Sequence, residues 1–147
     1  MFEQVRPLTL LVGRVVLGVV FVMHGLQKFG QGLGATAEGF ASMGIPLAGL
    51  AGPGVALLEL VGGIALIAGA LLPLFGTLLA LNMVGALLLV HLPSGFFAAD
   101  GGIELVLILA GFSLIVAFSG GGALAVDKLW QNKLGNRTTT AKETVDA

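Results

Sequence analysis

Seven side chains stand out because their surroundings are so apolar: Arg14, His24, Lys28, Glu59, His91, Glu104 and the amide Asn82. Imidazole and ammonium groups donate hydrogen bonds, and imidazole and carboxyl groups carry protons, which suits the set to hold a quinone headgroup. Two histidines and two carboxylates are also a conceivable metal set. No HEXXH-type spacing is present, so such a set would need tertiary convergence, and no metal site is expected. With no cysteine in the chain, thiol relays, thiolate metal sites and disulfides are excluded. Ser94, Ser113 and Ser119 stand in no nucleophile motif. The glycine-rich run FGQGLG does not lie between a strand and a helix, as a dinucleotide-binding loop would. No catalytic residue is assigned, and no covalent cofactor is expected.

The composition says what must position these groups. Of 147 residues, 56% are hydrophobic and 10% charged, and the mean hydropathy is +1.04. A soluble domain carries roughly 25% charged residues, so this chain cannot clothe a globule in water, and an integral membrane protein is the reading. A net charge of −1 argues against nucleic-acid binding. The 24 glycines would weaken soluble helices, but in a membrane they let backbones approach closely.

Spans follow from length. Crossing ~30 Å of hydrocarbon takes about 20 apolar residues at 1.5 Å each. From Leu60 to Ala99 the only ionisable residue is His91, and as one helix this run would be about 60 Å long. It must fold back, and Pro73 marks the expected break. The spacing predicts spans at about 8–29, 53–72, 74–92 and 103–119, with Pro7 in the first turn of the first. Gly30–Gly52 reads as a long loop. Arg14 interrupts the first apolar stretch and no small-x-small site follows it, so that stretch reads as a retained span and not a cleaved leader. After Gly120–Gly122, residues 123–134 read as an interfacial amphipathic helix. Leu124, Trp130 and Leu134 would face lipid there, and Asp127, Lys128 and Lys133 water. Residues 135–147 read as a polar, disordered tail. The fold class is thus all-α, a four-helix transmembrane bundle with a short C-terminal interfacial helix. The distribution of Lys and Arg puts both termini on the cytoplasmic side of a bacterial cytoplasmic membrane.

Ionisable groups inside spans are costly and mark candidate sites. Helix rise sorts them into two layers. Counted from the cytoplasmic end, Arg14 stands at about 9 Å and Asn82 at about 12 Å, while Glu59, His24 and His91 stand at about 20–26 Å. Lys28 and Glu104 lie near the outer edge. An outer polar pocket of His24, Lys28, Glu59, His91 and Glu104 is therefore expected, with Arg14 and Asn82 as an inner layer. Along the first span Arg14, Gly18, Phe21, Gly25 and Lys28 share one stripe. Glu59, Gly62, Gly63 and Gly69 share a face of the second. Gly18, Gly25, Gly62, Gly63 and Gly69 are the expected helix-packing positions. Each polar residue also has a plain structural role open to it: snorkelling or carbonyl pairing for Arg14, an ion pair or hydrogen bond for Glu59, an interface anchor for Lys28, the capping of a backbone carbonyl for His24 and His91, a helix-start charge for Glu104, and interhelical adhesion for Asn82.

At these residues the chain resembles the DoxX family of small bacterial membrane proteins. The resemblance lies in GRVVLGVVFVMHGLQKFG, GFASMGIP, LLELVGGIALIAGAL, VHLPSGFF and GGIELVLIL, together spanning about 12–128. It implies a four-helix protein of the cytoplasmic membrane. The wider family includes subunits of thiosulfate:quinone oxidoreductases and members linked to membrane redox and oxidative-stress complexes. Arg14, His24, Lys28, Glu59, His91 and Glu104 match its motifs, and the resemblance implies no catalytic set. The reading is an accessory subunit of a membrane oxidoreductase or respiratory complex, non-catalytic by itself, with a quinone-accessible pocket. Its partners would be lipids and other membrane subunits or a second copy. The alternative is a structural or assembly subunit without a ligand. A small transporter or proton path fits less well, because four short spans leave little room for alternating access.

Overall fold

The computed structural model describes residues 2–128, and these are helical with no strand among them. Helix α1 is Phe2–Gln31, α2 Leu33–Ser42, α3 Ala48–Ala68, α4 Leu72–Ala86 and α5 Glu104–Phe118. A π-helical segment, Leu87–His91, and a 3-10 turn, Leu92–Ser94, continue α4. Three stretches are long and apolar enough to cross a membrane: Glu3–Gln31, Ala48–Ala68 and Leu72–Ser94. α5 is apolar but has 15 residues, a length of only about 22 Å.

Three boundaries differ from the sequence expectation. α1 begins well before residue 8, so Pro7 lies inside the helix. There it lies beyond the first turn and forgoes the amide bond to the Glu3 carbonyl. The expected loop 30–52 contains α2, whose two glycines and short length hid its periodicity. The fold-back is made at Gly69–Leu71 and not at Pro73. Gly69 ends α3 at φ +72, and Pro73 sits in the first turn of α4, where proline is well tolerated.

α1 packs against α3, α4 against α5, and α2 and α4 both against α3. α1 and α3 run antiparallel and touch backbone to backbone. A Cβ on Gly18 would lie 2.6 Å from the Gly63 carbonyl oxygen, and one on Gly63 2.7 Å from that of Gly18. A Cβ on Gly25 would lie 2.7 Å from the Leu60 nitrogen. Gly62 instead faces the Leu79 side chain of α4, and Gly76 of α4 meets Ala117 of α5. Leu17, Phe21, Leu66, Leu79 and Val116 belong to the shared core, while Leu8, Val16, Ile64, Leu81, Ile108 and Ile115 are exposed. Large apolar groups on both sides of every long helix are what a lipid solvent requires.

At the end carrying both Phe2 and Lys128, hereafter the near end, the chain crosses back over the bundle. Ala123 donates its amide to the Pro7 carbonyl at 2.8 Å, and Asp127 its amide to the Gly69 carbonyl at 3.0 Å. Residues 126–128 are helical, whereas 123–125 form a turn. The rest of the expected interfacial helix and all of the expected tail lie outside the described residues. Asp127, expected to face water, is a cap. Its two carboxylate oxygens accept from the Leu71 amide at 2.7 Å and the Leu72 amide at 3.0 Å. Leu71 stands at φ +51, a conformation costing an L side chain about 1–2 kcal/mol. The carboxylate at the positive end of α4 offsets that strain.

Candidate functional site

Side chains on a helix lean toward its N-terminus. Because α1 and α3 are antiparallel, Lys28 and Glu59 lean toward one another. Lys28 Nζ donates to Glu59 Oε2 at 2.6 Å, and the two side chains are 18% and 4% exposed. Glu59 Oε1 accepts from Asn82 Nδ2 at 3.4 Å. The carboxylate is therefore met from α1 and from α4 together.

Asn82 was expected in the inner layer with Arg14, and the correction comes from the helix ends. With α3 ending at Ala68, Glu59 lies about 14 Å above the near end, not about 20 Å. Asn82, ten residues above Leu72, lies at about 15 Å. The two share a level and bond.

Arg14 stands alone below them, buried to 1%. Its Nη1 donates to the Leu66 carbonyl at 2.9 Å and the Ile67 carbonyl at 2.5 Å, and its Nη2 to the Ala123 carbonyl at 3.0 Å. The last carbonyls of a helix lack intrahelical partners and carry partial negative charge. The guanidinium thus closes the end of α3 and ties down the returning chain. Gly69 leaves it room, since a Cβ there would lie 2.6 Å from Nη1.

Above Glu59 is a cavity of about 440 Å³, within the range of small-molecule sites. His24, Lys28, Glu59, Asn82 and His91 are its polar lining, and apolar side chains make up most of the rest. His24, half-buried on α1, faces it with no hydrogen bond to the protein among the described residues. His91 Nδ1 lies 2.6 Å from the Gly101 carbonyl. A carbonyl only accepts, so Nδ1 bears the proton and Nε2 is left available.

Glu104 does not join this group. Its Oε2 accepts from the Ala98 amide at 2.9 Å, and its backbone amide donates to the Phe96 carbonyl at 2.8 Å. The carboxylate holds the 95–102 loop against the first turn of α5. The expected outer set of five is thus four at the cavity, joined by Asn82.

Sequence reasoning missed two contributions. Phe40 of α2, with Met43 and Ile45 after it, forms part of the cavity wall from a stretch expected to be loop. Thr36, buried to 6%, donates to the Lys28 or Gly32 carbonyl, each at 3.1 Å, and so pins α2 across the end of α1. A lone threonine in a glycine-rich stretch carried no signal of this. The π segment ending at His91 was also missed. Pro93 cannot donate, and its ring crowds the carbonyl four residues back; a widened turn relieves that crowding. Such turns recur at functional sites.

Among the described residues no three His, Asp or Glu side chains gather where they could hold a metal ion. The arrangement can bind a partly polar molecule. It offers an ammonium with protons to spare and two imidazoles at an apolar cavity whose one carboxylate is already neutralised.

Comparison with known proteins matches residues 9–92 to the family model described as DoxX. Over 114 residues the chain is 36% identical to a Bacillus subtilis (strain 168) protein named "Putative oxidoreductase CatD", covering 78% of this chain and 81% of that one. It is 31% identical over 134 residues to an uncharacterized protein of Haemophilus influenzae, covering 89% of this chain and 97% of the other. No solved structure matches.

Proposed function

The chain belongs to the DoxX family, and from that premise we propose that it is an accessory subunit of a membrane oxidoreductase or respiratory assembly whose cavity receives a quinone headgroup. α1, α3, α4 with its continuation, and α5 would be its four spans, with both termini cytoplasmic. The cavity would then open in the outer half of the bilayer.

One observation carries the reading: free hydrogen-bonding capacity at an otherwise apolar cavity. Lys28 gives one proton to Glu59 and keeps two for a ligand oxygen. His91, fixed through Nδ1, presents Nε2, and His24 presents a whole imidazole. A neutral ring with oxygens at opposite edges fits an apolar cavity with donors spread around it better than a charged metabolite does. The relative named as an oxidoreductase supports a redox setting.

Purification in mild detergent, with quinone and co-eluting proteins quantified together, tests this. The expected result is quinone in the wild-type preparation, falling at least fivefold in Glu59→Gln and His91→Ala at unchanged yield. Wild-type protein free of quinone, with quinone reduction by the host membrane unaffected by both variants, overturns it.

A purely structural role is favoured by a different observation. Both oxygens of Glu59 are paired, by Lys28 and Asn82, without any ligand, so the same cluster serves as an interhelical lock. On that reading the variants lower the yield of the assembly and leave turnover per assembly unchanged.

A further inference from the structure

We infer that the cavity opens sideways into the lipid between the π segment and α5, so that its ligand is a membrane-dissolved amphiphile and not a solute of the aqueous phase. This rests on the ligand-binding reading of the cavity and adds the route and the phase from which the ligand comes.

Three observations lead there. First, Gly76 of α4 meets Ser113 and Ala117 of α5, so α5, which begins at Glu104, starts about level with Leu87, and Leu87–His91 runs on past it with hardly any contact. The cavity lies at this step, lined by Leu89, Val90 and His91 on one side and by Leu105, Val106 and Leu109 on the other.

Second, exposure grades from floor to lip. Phe21, Glu59, Met83, Val106 and Leu109 are buried, whereas Leu89 is 53% and Leu105 46% exposed. On this side the lip is two leucines, one on each segment, while Met43 is 44% exposed on the α2 side. In a chain that leaves large apolar groups outward on every long helix, these two face acyl chains, and an opening between them costs nothing to an apolar entrant.

Third, a tethered loop, itself exposed at Ala98 and Gly101, lies across the cavity along the bundle axis. The 95–102 loop, which contributes Ala98, Gly101 and Gly102 to the lining, is held to His91 through Gly101 and to Glu104 through Ala98. It is also held by the Ile103 amide on the Gly95 carbonyl at 3.0 Å. No comparable tie joins the π segment to α5 among the described residues. A headgroup entering past Leu89 and Leu105 reaches His91 and then the Lys28–Glu59 pair, while an alkyl tail stays in the lipid.

Fluorescence quenching in bilayers tests the route without any ligand. Phe21→Trp, in a Trp130→Phe background, places the single indole at the floor, and the adjoining cavity accommodates its larger ring. In bilayers of phosphatidylcholine dibrominated on one acyl chain, this tryptophan is expected to lose at least half its emission, with aqueous iodide removing less than a tenth. The reverse pattern, iodide effective and brominated lipid inert, overturns the inference, as does quenching by neither. If Phe21→Trp cannot be recovered folded, Val90→Trp on the cavity wall gives the same reading. The lateral route and the quinone assignment fail separately. Bromolipid quenching in a protein that binds no quinone sinks the assignment alone, and iodide quenching in a protein that binds quinone sinks the route alone.

Discussion

Lys28 on α1 donates to Glu59 on α3 across 2.6 Å, and Asn82 on α4 takes the carboxylate's other oxygen. This contact registers α4 against α1 and α3, and for α1 and α3 it adds to the bonds of Arg14 to the Leu66 and Ile67 carbonyls. In lipid no water competes for any of its members, so the charges are held to each other.

Removing one partner of the pair therefore costs more than removing both. Lys28→Met is expected to destabilise the protein by about 3 kcal/mol, since it strands a buried carboxylate. Lys28→Met combined with Glu59→Leu is expected to recover more than half of that loss. Thermal unfolding in detergent reads both, and a double variant as damaged as the sum of its singles would show the pair uncoupled.

The glycines separate into contact and open positions. Gly18→Ala and Gly63→Ala each push a methyl into a facing backbone and are expected to cost about 1–3 kcal/mol. Gly111 and Gly85 meet nothing within 4 Å, so alanine there should be neutral or gain up to about 1 kcal/mol of helix propensity. Equal melting shifts at all four positions would contradict the packing described.

The near end depends on two charges used as caps. Asp127→Ala removes the acceptor for two amides and is expected to cost about 1 kcal/mol. It should also speed hydrogen exchange at Leu71 and Leu72. Arg14→Lys keeps the charge but loses the fork that reaches two segments at once, so the returning chain after Ser119 should become open to limited proteolysis. A protease pattern identical to wild type in Arg14→Lys would remove the clasp role.

The far loop makes a narrower test. Glu104→Ala removes the acceptor of the exposed Ala98 amide, at about 0.5–1.5 kcal/mol, and Gly101→Ala forces φ +81 on a residue with a Cβ, at about 1–2 kcal/mol. Both should raise hydrogen exchange across 95–102 while leaving α3 unchanged. Protection lost in α3 as well would mean that Glu104 supports the core and not the loop alone.

Much of this was legible in the chain. A composition too apolar for water dictates helices in lipid, because every backbone group must be satisfied within its own segment there. Scarcity of charge singled out Arg14, His24, Lys28, Glu59 and His91, since an expensive group kept in such a setting needs a reason. Helical periodicity put Gly18 and Gly25 on the same face as Arg14 and Lys28.

What failed was vertical arithmetic and the use of ends. Moving the end of α3 from Leu72 to Ala68 shifts Glu59 by four residues, about 6 Å, enough to exchange its expected neighbours for Asn82. Glu104 and Asp127 read as surface charges because their partners are backbone amides at Ala98, Leu71 and Leu72, which carry no side-chain signature. That α5 starts about level with Leu87 and leaves Leu87–His91 beyond it likewise has no residue that announces it. One-dimensional patterns report which face of a helix avoids water and what each charge would cost. Where two helices end relative to each other, and so which groups meet, follows from packing between segments far apart in the chain, and only the folded molecule decides it.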